Sequence, residues 1–153
     1  MVRALMLCLM LTCLSACKPQ PKEAFEATDI TASGLHLTDH HGKPASLQDF
    51  KGKVIVLFFG YTHCPDVCPT TMSDMAQTMK LLGKDADQVQ VLFVTLDPAR
   101  DTPDVLANYV PYFDPRFIGL YGTEAEIAGT AHHFKISASK QPPDARGDYS
   151  IDH

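Results

Sequence analysis

Val54 to Phe59 reads VIVLFF, six apolar residues in a row with Gly52-Lys53 before them and Gly60 after. Such a run describes a strand buried on both faces, which needs helices above and below the sheet that holds it. Val89 to Leu96 (VQVLFVTL) repeats the signal. Between the two, Met72, Met75, Met79 and Leu82 recur at steps of three and four, marking one face of a helix that Gly83 ends. Thr102 followed by Pro103 predicts an N-cap and a first helical residue, opening a helix to about Tyr109. Phe117 to Tyr121 reads as a short strand, and Thr123 as the cap of a helix through His133. Upstream, Leu35 and Leu37 precede the turn residues DHHGKP, which predicts an antiparallel hairpin. Residues 137–148, with Pro142-Pro143 and Gly147, read as a polar loop. The order hairpin, β, α, β, α, β, α predicts an α/β fold.

The chain has 153 residues, a formal charge of −5 and 45% hydrophobic residues, enough to bury the core of one domain. Its mild acidity, without a clustered basic face, argues against nucleic acid as a partner. The first residues, MVRALMLCLMLTCLSAC, place Arg3 ahead of the uncharged stretch Leu5 to Leu14. Ten helical residues cover about 15 Å, short of the roughly 30 Å of a hydrocarbon core, so this is expected to be a signal peptide rather than a span. Leu14-Ser15-Ala16-Cys17 resembles the bacterial lipobox, which implies cleavage before Cys17 and lipid on its sulfur. The expected organisation is a lipoprotein signal peptide at 1–16, a lipidated cysteine and flexible tether at 17–28, and one domain at 29–153. Of the five cysteines, Cys8 and Cys13 then leave with the leader and Cys17 is acylated. Cys64 and Cys68 remain as the working thiols, in an oxidising compartment.

Cys64 and Cys68 lie in FFGYTHCPDVCP, between the end of a buried strand and the Met-striped helix. Backbone N–H groups at a helix start favour a thiolate, which is both nucleophile and metal ligand. C-x-x-x-C leaves more room between sulfurs than C-x-x-C and suits a soft ion: thiolates favour Cu(I), and an added imidazole tolerates Cu(II). A structural disulfide and a redox pair, with a first cysteine exposed to a partner disulfide, stay open beside it. A peroxide-consuming enzyme is a weaker third. His63 reads as loop packing, with tuning of Cys64 or alternative ligation beside it. Asp66 reads as a loop or helix cap, and Arg100 and Asp101 as parts of a turn. Asp97 ends the second strand and is expected near the cysteine loop, as a turn residue or in an electrostatic role. His40-His41 and His132-His133 read as solvated surface, and the methionines as core.

F-F-G-Y-T-H-C-P-D-V-C-P-T-T, V-T-L-D-P-A-R-D-T-P-D at 94–104 and F-D-P-R-F-I-G-L-Y-G-T at 113–123 together resemble the Sco/SenC family. The resemblance runs from about Gly34 to the last residue. It implies a thioredoxin-like fold and one copper, Cu(I) or Cu(II), held by Cys64, Cys68 and a distant histidine. Tyr149-Ser150-Ile151-Asp152-His153 matches the family's Asp-His pair, making His153 the implied third ligand and Asp152 a candidate support. The implied role is copper metallochaperone, thiol reductant or both, in assembly of the dinuclear copper centre of cytochrome c oxidase. Partners would be the copper-site subunit of the oxidase and other copper-delivery proteins. In the reductant role Cys64 and Cys68 would be catalytic and would form a disulfide when oxidised. The implied location is the periplasmic side of the bacterial envelope, lipid-anchored; the family favours the inner membrane, while Lys18 after Cys17 leaves the outer membrane open. The family pattern continues past the histidine, so the chain is expected to be C-terminally truncated, with the last strands missing.

Overall fold

The computed structural model describes residues 32–153; the expected leader, Cys17 and the tether lie outside them. Strands β1 (His36–Asp39) and β2 (Pro44–Ser46) form the hairpin expected around DHHGKP. The Asp39 carboxylate accepts the N–H groups of His41 and Lys43, each at 2.9 Å, and Gly42 takes a positive φ of 81°, so the turn is closed by its own residues. Next come β3 (Val54–Gly60), α1 (Val67–Leu82), β4 (Val89–Thr95), α2 (Pro103–Phe113), β5 (Ile118–Tyr121) and α3 (Glu124–His133). Two short strands, β6 (Ser139–Lys140) and β7 (Ile151–Asp152), pair with each other. The main sheet has the order β2-β1-β5-β4-β3, with β3, β4 and β5 parallel and β1 antiparallel to both its neighbours.

β4 is buried on both faces, as its apolar run requires. Leu92 and Val94 pack with Leu35, Leu120, Ile127 and Ala131 on the α3 side. Val91 and Phe93 pack with Met72, Met79, Leu106 and Val110 under α1 and α2. Phe93 is fully buried, and truncating such a side chain to alanine costs about 3–5 kcal/mol. Met72 and Met79 are core, as their helical spacing predicts.

The helix boundaries follow their caps. Thr102 Oγ1 accepts the Val105 N–H, and Thr123 and Glu126 form a reciprocal capping box. α1 stops at Gly83, whose φ of 56° suits a residue without Cβ. α2 runs four residues beyond the expected end at Tyr109, through Pro111. Burial of Val110 outweighs the hydrogen bond that proline cannot donate.

Four expectations are corrected. β3 is not buried on both faces: it lies at the sheet edge, Val54 is 64% exposed, and Ile55 to Phe58 are half-buried. Its outer edge has no strand partner among the described residues, so the run that looks most interior is only half covered. His40 is buried, because its Nδ1 accepts the Gly119 N–H at 2.9 Å and ties the hairpin to β5. His41 stays exposed. His133 is half-buried against Gly34, where a Cβ would come within 1.9 Å of its ring; His132 is exposed. The polar segment after α3 is not all loop, since β6 and β7 pair across it.

Candidate metal centre

The cysteine loop leaves the C-terminal end of β3, where parallel sheets of this class place their ligands. Gly60 is the last residue of β3, and a Cβ there would lie 3.0 Å from Cys68 Sγ and 3.1 Å from the Phe93 ring. Glycine leaves the Cys68 sulfur room against the strand end, where a Cβ would press on it. Asp101 then fastens the loop to the β4–α2 turn. Its carboxylate accepts the Thr62 N–H at 3.0 Å, the Thr62 hydroxyl at 2.6 Å and the Thr95 hydroxyl at 2.7 Å. Asp101 is 1% exposed, and these bonds compensate the burial of its charge.

Cys64 and Cys68 are both unbridged and buried, at 8% and 0% exposure. The expectation of an exposed first cysteine is therefore corrected: the Tyr61 and Ile151 side chains cluster with both thiols. The Cys64 sulfur accepts the Cys68 N–H at 3.4 Å, at the start of α1. Burial opposes ionisation of Cys64, but the N–H groups of Asp66 and Cys68, the Cys68 thiol and the Val67 N–H outweigh it and hold its pKa below the ordinary value. Cys68 goes the other way. Burial, with the negative charges of Cys64 and Asp101 nearby, pushes its thiol up to about 12. Asp66 stands at the N-cap position of α1, but its side chain makes no capping bond.

His153 reaches the same place from 85 residues away in sequence. Its Nε2 lies 3.9 Å from Cys68 Sγ, its ring meets Tyr61 edge-on at 5.8 Å, and its Nδ1 is 3.1 Å from the Ile151 carbonyl. A thiolate at about 2.3 Å and an imidazole at about 2.0 Å from one ion, 120° apart, would stand roughly 3.7 Å from each other. The sulfur–nitrogen pair fits that spacing. Among the described residues no three His, Cys, Asp or Glu side chains are closed around a single point.

The remaining candidates fall around this core. The His63 side chain is half exposed, with Nδ1 3.2 Å from Thr62 Oγ1 and 3.9 Å from Asp101. Asp97 is 3% exposed and faces the segment before His153: it accepts the Tyr149 hydroxyl at 2.7 Å and binds the Arg100 guanidinium. Asp152 is exposed, and the Ile151 carbonyl stands beside the outer nitrogen of His153. Sequence reasoning missed Asp101, read as a turn residue, and Tyr149. For Tyr149 a signal existed: residues 149, 151 and 153 share one side of an extended segment.

The match to known proteins covers this whole assembly. The model of the family described as SCO1/SenC matches residues 24–153. The mitochondrial SCO2 homolog of Danio rerio is 42% identical over 136 residues, covering 88% of this chain and 49% of the relative. The chain thus spans about half the length of the curated relatives it matches. The copper-bound structure of Bradyrhizobium japonicum ScoI is 45% identical, with a TM-score of 0.73 over 78% of this chain and 75% of that one. Copper-bound Arabidopsis thaliana ScoI is 32% identical, with a TM-score of 0.72 over 78% and 74%. The fold is thioredoxin-like, and the chain belongs to the SCO1/SenC family.

Proposed function

We propose that the protein is a copper metallochaperone that takes one copper ion on Cys64, Cys68 and His153 and delivers it for assembly of the dinuclear copper centre of cytochrome c oxidase. The observation that carries the reading is the 3.9 Å approach of His153 to Cys68 across 85 residues of chain, at the only cysteine pair of the described domain. Two soft sulfurs and one imidazole suit Cu(I) and tolerate Cu(II). Delivery proceeds by ligand exchange: a donor of the receiving subunit binds the copper as one of these three leaves, with no change in electron count. Membership of the family, and the copper in the ScoI structures it resembles, support copper as the cargo. Lipid on Cys17 would hold the domain at the periplasmic face of a bacterial membrane. No described helix is long and apolar enough to cross one.

Titration of the mature protein with Cu(I) and Cu(II) tests the reading. One copper per chain is expected, with affinity reduced in His153→Ala. Substoichiometric binding that ignores His153→Ala would remove it.

The lowered pKa of Cys64 favours a second reading, a thiol-disulfide reductase. The Cys64 thiolate would attack a partner disulfide, releasing one partner thiol. Cys68 would then attack the Cys64 sulfur, closing the Cys64–Cys68 disulfide as the second partner thiol leaves with its proton. Reduction of one equivalent of a disulfide substrate by the reduced, copper-free protein, abolished in Cys64→Ser, would support it.

A further inference from the structure

We propose that Tyr149 is a latch that positions His153 over Cys68, a role that rests on the reading of His153 as the third copper donor. The segment carrying His153 is held by a short ladder and by Ile151, which is buried in the cysteine cluster. Its ladder consists of two residue pairs, Ser139 with Asp152 and Lys140 with Ile151, extended by a Gln141 N–H to Ser150 carbonyl bond of 2.9 Å. A ladder that short has no stability of its own. His153 itself is exposed.

Tyr149 supplies what the ladder lacks. The Arg100 guanidinium carbon and the Lys140 ammonium each stand 3.6 Å from its ring centroid. Two cations at that distance cannot share a face, so the ring is clasped from both sides. Its hydroxyl donates to Asp97 Oδ1 at 2.7 Å, and its carbonyl accepts Arg100 Nη2 at 3.0 Å. The receiving end is rigid. The Asp97 N–H donates to Thr95 Oγ1 at 2.9 Å, its carbonyl accepts the N–H groups of Arg100 and Asp101, and its second carboxylate oxygen binds Arg100 Nε. This is the turn that Asp101 ties to the cysteine loop. Tyr149 therefore fixes the histidine segment to the same few residues that fix the cysteines. Alternation along the extended chain does the rest: with Tyr149 clasped, Ile151 is turned into the cluster of Tyr61, Cys64 and Cys68, and His153 toward Cys68. Tyr149 packs against the cluster of Tyr61, Cys64, Cys68 and Ile151 and acts by placing the backbone that carries His153.

Two variants and two readouts test the latch. Tyr149→Phe keeps the clasped ring and loses the bond to Asp97; Tyr149→Leu loses both. Outer-sphere partners of metal ligands carry about 10- to 100-fold in affinity, so copper is expected to leave about 10-fold faster from Tyr149→Phe and up to about 100-fold faster from Tyr149→Leu. In the copper-free protein, hydrogen exchange is expected to accelerate at 149–153 in Tyr149→Leu and to stay unchanged in β4 and α1. Unchanged exchange at 149–153 in Tyr149→Leu overturns the latch whatever copper does. Faster exchange with wild-type copper release, in a protein where His153→Ala does speed release, also overturns it as a positioning device. If His153→Ala itself releases copper at the wild-type rate, the ligand assignment fails instead, and the two failures are told apart.

Discussion

The two sides of the candidate copper site are built to different standards. The cysteine side is continuous with the parallel sheet. Cys64 lies on the loop between β3 and α1 and Cys68 in the first turn of α1, both nearly closed to solvent, and a buried carboxylate bolts that loop to the neighbouring turn. The histidine side is a two-pair ladder ending in an exposed ring, attached by the clasp on Tyr149. A site with all three donors rigid would bind tightly and release slowly. A site with two fixed sulfurs and one hinged nitrogen can exchange the nitrogen first. The asymmetry suits the carrier role proposed above.

Changes to the fixed side are expected to be the most damaging. Cys68→Ser removes a buried sulfur and should lower copper affinity by more than about 100-fold, beyond what outer-sphere changes cost, as measured by competition with a chelator. Asp101→Ala should come next. It strands the Thr62 N–H and the hydroxyls of Thr62 and Thr95. The expected loss is about 2–4 kcal/mol in urea unfolding, since hydrogen bonds to charged groups contribute about 1.5–3 kcal/mol each and part of the cost is recovered by water. If Asp101→Ala unfolds like the parent, the cysteine side is no firmer than the histidine side and the contrast collapses. His153→Ala should leave stability within about 0.5 kcal/mol, as exposed substitutions do. It should still weaken copper binding, so the two sides separate in one pair of measurements.

Within the cysteine side, pH sharpens the contrast. In the copper-free protein Cys64 is expected to react with iodoacetamide with a midpoint below its ordinary 9.0, the rate falling as acid protonates the thiolate. Cys68 should stay unreactive until the pH nears about 12. Because the folded state keeps Cys68 neutral while the unfolded thiol ionises near 9.0, stability should decline as pH rises from 9.0 toward 12. Equal reactivity of the two thiols would remove the distinction between them.

Much of this was legible in the chain. The apolar runs at Val54 and Val89, the methionine spacing of α1, the caps at Thr102 and Thr123 and the stop at Gly83 are local signals that survive folding. So is the cysteine spacing, because chemistry at adjacent positions depends on local geometry. Failures came where a residue's meaning lies in a distant partner. VIVLFF describes a strand that wants covering, yet its place at the edge depends on which strands pair with it. His40 reads as solvated surface until Gly119 is brought beside it.

By itself, then, the sequence determined most of the elements and, through its resemblance to the family, pointed to two thiols and one distant histidine as the proposed donors. Tertiary structure alone decided that Asp101 and Asp97 anchor the two sides, that Tyr149 is clasped by Arg100 and Lys140, and that His153 comes within 3.9 Å of Cys68. Periodicity and capping act over four residues or fewer and can be read along the chain. Buried carboxylates and clasped rings join segments tens of residues apart, and their partners exist only once the sheet has set the distances.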